Sequence, residues 1–396
     1  MKKYIISLIA STFVITGYAN NSIDDIIGEV AINNLELKAS EANTLSEGLS
    51  IKATNNLKDP TIDMEYLFGN KRLGNKLAIG VSQSFDWPGI YGVRSNLNKS
   101  RINALSYIYK MKRLEILLQA KQICIDIINV NKQIAVQNEI HENVTKLFNE
   151  YNKGFNHGEI SILDINKLKI ELLASTQKLN DYTTQLKVLT ESLRAINGNV
   201  EITSSFTNLS NYPLENLKSI DSYIQNIQVN DPEMNYYLTS IDANKAEIKA
   251  SKMGWFPGIS VGYKYSNELG DKFNGFTFGI NIPLFSNRHK VNAAKAKYVA
   301  DNYSKQNIVV SKEIKAKSEY NQLLSLNSQI NAYKSILNGS DNIDALNKAL
   351  NGGQITLLNY LMELRYFIEA KSKLLEMEYT FNQTLANIDR YSLLNK

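Results

Sequence analysis

The chain has one cysteine, six prolines and two tryptophans among its 396 residues. The single cysteine, Cys124, has no partner for an intramolecular disulfide and lies in an apolar helical stretch, so we interpret it as a core residue. After residue 19, no segment approaches the ~20 consecutive apolar residues of a transmembrane helix. Any part that crosses a membrane would therefore be built from strands.

Sequence motifs for catalysis are also missing. The chain has no Gly-x-Ser-x-Gly, no His-Glu-x-x-His and no Gly-x-x-x-x-Gly-Lys. The histidines are far apart, at His141, His157 and His289, and Cys124 has no adjacent metal-ligand partner. We therefore expect no enzyme, no cofactor and no metal site. No Lys/Arg cluster suits a phosphate backbone, so we expect no nucleic-acid partner.

The N-terminus has the pattern of a secretory signal. Lys2 and Lys3 precede an apolar run over residues 4–15, and Gly17-Tyr18-Ala19 has the small-x-small form of a cleavage site. We expect residues 1–19 to be a signal peptide and the mature chain to be exported.

An internal repeat fills most of the remaining sequence. Two shifts superpose the halves: 197 residues places Ile51-Lys52-Ala53-Thr54 on Ile248-Lys249-Ala250-Ser251, and 195 residues places Asn156 on Asn351 and Gly158 on Gly353. We predict repeat 1 over residues 20–198, a linker or equatorial segment over 199–229 and repeat 2 over 230–396. Each repeat is predicted to contain a helix, two short strands and a long helical hairpin.

Alternation of apolar and small polar residues predicts four strands, at about 61–68, 76–87, 258–265 and 275–285. Residues expected on the lipid-facing side are Ile79, Val81, Tyr263, Phe278 and Ile280. Trp87 and Trp255 lie beside or near proline at strand ends, as aromatic residues of a membrane interface do. A soluble sandwich would show the same alternation, but four strands are too few to close a sheet. Three copies would supply twelve strands for a closed barrel.

Long proline-free stretches predict the helical hairpins, at about 89–197 with a tip at 155–160 and about 287–390 with a tip at 350–355. From Ile123 the apolar spacing alternates between four and three residues, as in a coiled coil, with Gln137 and His141 at two seam positions. Polar seam residues usually set register. A wholly helical arm from Gly89 to Phe155 would be roughly 100 Å long, so it must project from the strands.

The turn Phe155-Asn156-His157-Gly158-Glu159-Ile160-Ser161-Ile162-Leu163-Asp164 resembles the periplasmic tip of TolC-like outer-membrane efflux proteins. A partner turn, Leu350-Asn351-Gly352-Gly353-Gln354-Ile355-Thr356-Leu357-Leu358-Asn359, occurs in the second repeat. The resemblance implies a mainly α protein with a transmembrane β portion. It implies a homotrimer with a 12-stranded β-barrel in outer-membrane lipid and an α-helical periplasmic tunnel. It also implies a periplasmic adaptor and an inner-membrane pump as partners.

The resemblance further implies a periplasmic aperture formed by six tip residues: Phe155, Gly158, Asp164, Leu350, Gly353 and Asn359. The second repeat has Leu350, Ile355 and Asn359 where the family has an aromatic residue, an arginine and an aspartate. The usual arginine–aspartate ion pair and the ring of carboxylates are therefore not expected here. Instead, we expect a mainly apolar, uncharged constriction in repeat 2.

Two functions are compatible with these patterns. The first is a channel that passively conducts cargo in a tripartite efflux or type I secretion system. The second is a secreted or surface coiled-coil protein with a structural or adhesive role, which explains the long helices but not the apolar strand faces and paired tryptophans. The sequence leaves the cargo open between metal ions, drugs and proteins.

Overall fold

A computed structural model describes residues 22–70, 74–202, 209–213, 216–268, 270–337 and 342–396. The predicted signal peptide, 1–19, lies outside the described residues. The described part is mostly helical, with one small antiparallel sheet. Its elements in chain order are α1 Ser22–Asn33, α2 Leu35–Ala53, β1 Thr61–Leu67, β2 Lys76–Phe85, α3 Pro88–Asn156, α4 Ile162–Ile196, α5 Ile220–Asn230, α6 Pro232–Met253, β3 Gly258–Glu268, β4 Asp271–Asn281, α7 Lys290–Leu337, α8 Asn342–Asn351, α9 Leu357–Ile388 and a 3-10 helix Arg390–Asn395.

The sheet has the order β1-β2-β3-β4, and all neighbouring strands are antiparallel. Its limits differ from the predicted strands. β2 ends at Phe85, not at 87, because Pro88 begins α3 and Trp87 is the N-cap residue of that helix. β4 ends at Asn281, not at 285, just before the segment containing Pro283, which has no N–H for the ladder.

The turn between β3 and β4 is shorter than predicted. Its polar residues indicated a loop over 266–274, yet the strands extend to Glu268 and from Asp271. Backbone pairing of Asn267 with Lys272 and of Glu268 with Asp271 continues the ladder to the turn. Polar composition therefore placed the strand ends too early, because backbone hydrogen bonds do not depend on the side chain.

The longest helix, α3, has 69 residues and is about 100 Å long. It packs against α4 to form one hairpin, and also against α2, α6 and α9. The largest buried cluster gathers side chains from α1, the middle of α3 and the C-terminal segment, including Ile26, Leu117, Ile128 and Tyr391. A second cluster lies near the turn that follows α3. Among the described residues, no helix is both long and apolar enough to cross a bilayer.

The segment predicted as a linker, 199–229, contains most of a helix, α5. A shift of 197 residues places α1 over α5 and α2 over α6. The correspondence extends to side-chain caps: Asn34 accepts a hydrogen bond from the Leu37 N–H, and Asp231 accepts one from the Met234 N–H, each at 2.8 Å. Residues 220–229 of the predicted linker or equatorial segment thus form a helix that corresponds to α1 in the first half.

Candidate functional site

The two predicted tip turns have the same backbone hydrogen bonds. The Glu159 N–H donates to the Gly154 carbonyl at 3.0 Å, and the Gln354 N–H donates to the Ala349 carbonyl at 2.9 Å. Gly158 and Gly353 have φ values of +80° and +70°. A side chain would be strained there, so glycine allows the chain to leave the first helix and enter the next within a few residues.

Each turn leads into a capped helix. The Ser161 hydroxyl accepts a hydrogen bond from the Leu163 N–H, and the Thr356 hydroxyl accepts one from the Asn359 N–H, both at 3.2 Å. Asp164 lies in the first turn of α4, where the positive end of the helix dipole stabilises its negative charge. Its carboxylate also forms an ion pair with Lys167 at 2.9 Å. Its counterpart Asn359 is exposed at the start of α9.

Two further tip residues, Phe155 and Leu350, differ in how far they are exposed. Phe155 is 37% exposed, whereas Leu350 is only 8% exposed. Leu350 packs within the cluster near the turns, against side chains from α3, α4 and α9 that include Val144, Leu168 and Leu357. In the protomer, Leu350 therefore belongs to the core between the hairpins, and its place at an apolar constriction stays a prediction.

A closed ring of three hydrogen bonds lies in the same cluster. The Asn143 amide donates to the Tyr360 hydroxyl at 2.5 Å, that hydroxyl donates to the Asn347 carbonyl oxygen at 2.9 Å, and the Asn347 amide donates to Asn143 at 2.9 Å. Burial raises the pKa of Tyr360, while the bond from Asn143 lowers it, with a net rise. The ring joins α3, α8 and α9 across the two halves. Sequence reasoning missed these residues, because Asn143 lies among mainly polar residues, between Glu142 and Val144, and nothing local marks it.

Further from the turns, polar seam residues of α3 contact α4. The Gln137 amide donates to the Ser175 carbonyl at 3.2 Å, and His141 Nδ1 lies 3.1 Å from the Ser175 hydroxyl. Two residues one helical turn apart thus contact the same position of the partner helix. Such directional contacts set the register of the hairpin, since a shift by one residue would leave the buried Gln137 unpaired.

A buried carboxylate on α9 forms ion pairs with α3 and α7. Glu378 of α9 lies 3.1 Å from Lys132 of α3 and 2.6 Å from Lys334 of α7. Burial acts to raise the pKa of Glu378, but the ion pairs with Lys334 and Lys132 outweigh it and lower that pKa below its ordinary value. The carboxylate therefore remains charged and joins three helices.

The sheet presents one apolar face. The register aligns Val81 with Tyr263 and Phe278 with Val261, and strand alternation places the five residues predicted to face lipid on the same side. On that side Val81 is 49% exposed, Ile280 73% and Phe278 80%. The described residues thus include an uncovered apolar sheet face, which water does not favour.

Both tryptophans lie at the helix end of this sheet. Trp87 separates β2 from α3, and Trp255 separates α6 from β3, while the register pairs Phe85 with Ile259 at that end. Trp87 stacks on Phe256 with ring centroids 5.4 Å apart. The two indoles therefore mark one level across the strands, as interfacial aromatic residues do.

The described residues contain no group of three or more histidine, cysteine, aspartate or glutamate side chains suited to a metal. Cys124 is buried, and burial, with a contribution from Asp126, raises the pKa of its thiol to about 12. Its thiolate is therefore almost unpopulated at neutral pH.

By sequence, no family model and no curated relative matches the chain. By structure, it is similar to a membrane protein from Pseudomonas aeruginosa, with a TM-score of 0.76 at 12% identity over 94% of this chain and 90% of that chain. The CmeC outer membrane channel of Campylobacter jejuni gives 0.72 at 14% identity, over 94% and 85%. The chain has the fold of TolC-like outer-membrane channels. CusC, whose structures concern transmembrane channel formation, has the same TolC-like fold, at a TM-score of 0.70 and 18% identity over 97% and 95%. The sequence resemblance is confirmed at the level of the fold.

Proposed function

We propose that three copies of the chain form an outer-membrane channel that conducts cargo passively through a tripartite efflux system. The observation that supports this most directly is a four-stranded sheet with an exposed apolar face at one end of α3, a helix about 100 Å long. In lipid, the outer edges of β1 and β4 would leave backbone groups unpaired. Pairing β4 of one copy with β1 of the next satisfies those edges and gives a twelve-stranded barrel.

In this assembly the helical hairpins form a periplasmic tunnel, and the turns at 155–160 and 350–355 form its aperture. Phe155, Asp164 and Asn359 are the more exposed aperture residues, and Leu350 supports them from inside the protomer. Gly158 and Gly353 shape the turns. A periplasmic adaptor and an inner-membrane pump are the partners, and the pump supplies the energy.

The test compares substitutions on the two sheet faces. Val81→Arg and Phe278→Arg should impair insertion into outer-membrane lipid, at a cost of roughly 2–4 kcal/mol near the bilayer midplane. Ser82→Arg and Asn281→Arg, on the opposite face, should insert normally. Folded trimer is measured by heat-modifiable migration of detergent-extracted protein. A stable folded monomer, or equal defects on both faces, would favour the alternative of a secreted coiled-coil structural protein.

A further inference from the structure

The two halves differ in how the sheet joins the long helix that follows it. In the first half, Phe85 ends β2 and Pro88 begins α3, so two residues form the connection. In the second half, Asn281 ends β4 and Lys290 begins α7, so eight residues form it. This second connection, residues 282–289, is the junction loop.

The junction loop is held in place by hydrogen bonds. Asn287 is buried, and its side-chain amide donates to the Gly254 carbonyl just before β3. The Asn287 side-chain oxygen accepts a hydrogen bond from the Lys290 ammonium at 3.0 Å. The Arg288 N–H donates to the Phe285 carbonyl at 3.2 Å, which closes a turn. The loop is therefore tied to the end of the sheet at which both tryptophans lie.

The apolar side chains of the junction loop are uncovered. Ile282, Leu284 and Phe285 are all exposed, Phe285 at 82%. Ile282 follows Phe278 and Ile280 in the alternation of the apolar sheet face, so the loop extends that face toward the helices. An exposed apolar surface that continues a lipid-facing one, with tryptophans at the same level, is typical of a membrane interface.

Basic residues directly follow these apolar side chains. Arg288 and Lys290 are both exposed. Lys290 contacts only the neutral amide of Asn287, and Arg288 has no ion-pair partner among the described residues. No carboxylate occurs in the sequence between Asp271 and Asp301. The junction loop thus combines an apolar tip with positive charge that its own segment does not neutralise.

The corresponding junction of the first half is different, because its charges compensate one another. Asp86 lies 2.8 Å from Lys58 and 2.7 Å from Arg94. In the proposed trimer, the segment across the seam between β4 and β1 is 54–60 of the next copy, which contains one cation, Lys58, and one carboxylate, Asp59. A neighbouring copy therefore brings no net negative charge to the junction loop along this segment.

We propose that the junction loop binds anionic phospholipid headgroups of the periplasmic leaflet, with Leu284 and Phe285 at the boundary of the acyl chains and Arg288 and Lys290 at the phosphates. This rests on the proposed function, because that assembly directs this end of the sheet toward the periplasm. A guanidinium matches phosphate oxygens with two parallel N–H donors, and an ammonium binds them as a point charge. The attraction acts close to the membrane surface and is screened by salt.

The experiment uses the native tryptophans as reporters of the adjacent lipid. Trp87 and Trp255 are the only tryptophans in the chain, and both lie at the level of the junction loop. The protein is reconstituted in vesicles of equal parts phosphatidylglycerol and phosphatidylcholine, and either lipid in turn carries brominated acyl chains, which quench tryptophan fluorescence on contact. Comparing the two quenching values gives the preference for the anionic lipid at this site.

At low salt, wild type should prefer phosphatidylglycerol, and Arg288→Gln should lower the preference on the order of fivefold. Raising the salt to about 1 M should also lower it, since the Debye length falls to about 3 Å. The matched control is Lys305→Gln, which removes one positive charge from α7 about 22 Å beyond Lys290 and should leave the preference unchanged. Equal quenching by the two lipids in wild type, or equal losses in the two variants, would overturn the inference.

The same measurement separates this inference from the proposed function. If the protein floats with the vesicles but neither brominated lipid quenches its fluorescence, this end of the sheet is not in a membrane and the proposed function fails. If both lipids quench equally, the sheet lies in lipid and only the anionic preference is wrong. A neighbouring copy that covered the junction loop would also give equal quenching, and would overturn the inference in the same way.

Discussion

The two halves of the molecule have the same turn but differ in the residues that lead to it. In the first half, α3 runs from the sheet to the turn as a single helix of 69 residues. In the second half, the structure describes α7 with 48 residues and α8 with 10, on either side of residues 338–341, which lie outside the described part. At the equivalent position the sequence has Gly339 in place of Val144, which is buried in α3. The turn geometry is therefore the same in both halves although their sequences differ at this position.

The side chains at equivalent turn positions differ as well. Phe155 and Leu350 occupy the same place in their turns, yet only Leu350 is buried. Asp164 is charged and paired, whereas Asn359 is neutral. Equal backbone conformation thus supports unequal surfaces: the first half is more exposed and charged, and the second contributes to the core between the hairpins.

The largest expected effect concerns this difference in burial. Leu350→Ala should destabilise the folded protein by about 2–5 kcal/mol, because it leaves a cavity among α3, α4 and α9. Phe155→Ala, its matched control, should cost less than half as much, since Phe155 is partly exposed. Thermal unfolding of the detergent-extracted trimer, followed by helical circular dichroism, measures both. Equal losses would mean that the two turns have equivalent surroundings in the assembly.

The next effect concerns the carboxylate that joins the halves. The folded pKa of Glu378 is lowered from its ordinary value near 4.5, so its stabilising contribution is complete above that pH and is lost as pH falls through the lowered value. Glu378→Gln should lower stability by about 1.5–3 kcal/mol at neutral pH. The variant should also lose less stability than wild type between about pH 5 and pH 3. Parallel pH profiles would show that the ion pairs with Lys132 and Lys334 contribute nothing.

The hydrogen-bonded ring offers a smaller test of the contact between halves. Tyr360→Phe removes the hydroxyl that both accepts from Asn143 and donates to Asn347, and should cost about 1–3 kcal/mol. Tyr366→Phe, on the same helix but 62% exposed, is the control and should have little effect. If the two variants unfold at the same temperature, the ring does not hold the halves together.

The smallest effect tests whether the turns are energetically equal. Ser161→Ala and Thr356→Ala each remove a side-chain cap at the same place in the two turns, and each should cost about 0.5–2 kcal/mol. We expect similar losses, since both caps bond at the same distance. A difference of more than about 1 kcal/mol between them would show that the surroundings, and not the cap, dominate.

Sequence periodicity predicted the parts of the fold that depend on repeated local signals. Alternation placed the strand faces, and the paired glycines placed the turns, because positive φ strongly favours glycine. The same 197-residue shift would have revealed α5 as the counterpart of α1, but the polar Asn34 and Asp231 lacked an obvious meaning until their capping bonds were seen. The burial of Leu350 was not predictable, since it depends on how two distant hairpins pack.

The length of α3 has a mechanical consequence. A continuous helix of 69 residues behaves as a lever whose ends lie about 100 Å apart. If its sheet end is fixed, a tilt of about 3° displaces the turn end by about 5 Å, which is close to one helical turn. A tilt of α3 that is too small to disturb side-chain packing near Trp87 would therefore move Phe155, at the other end of the helix, by about the length of one helical turn.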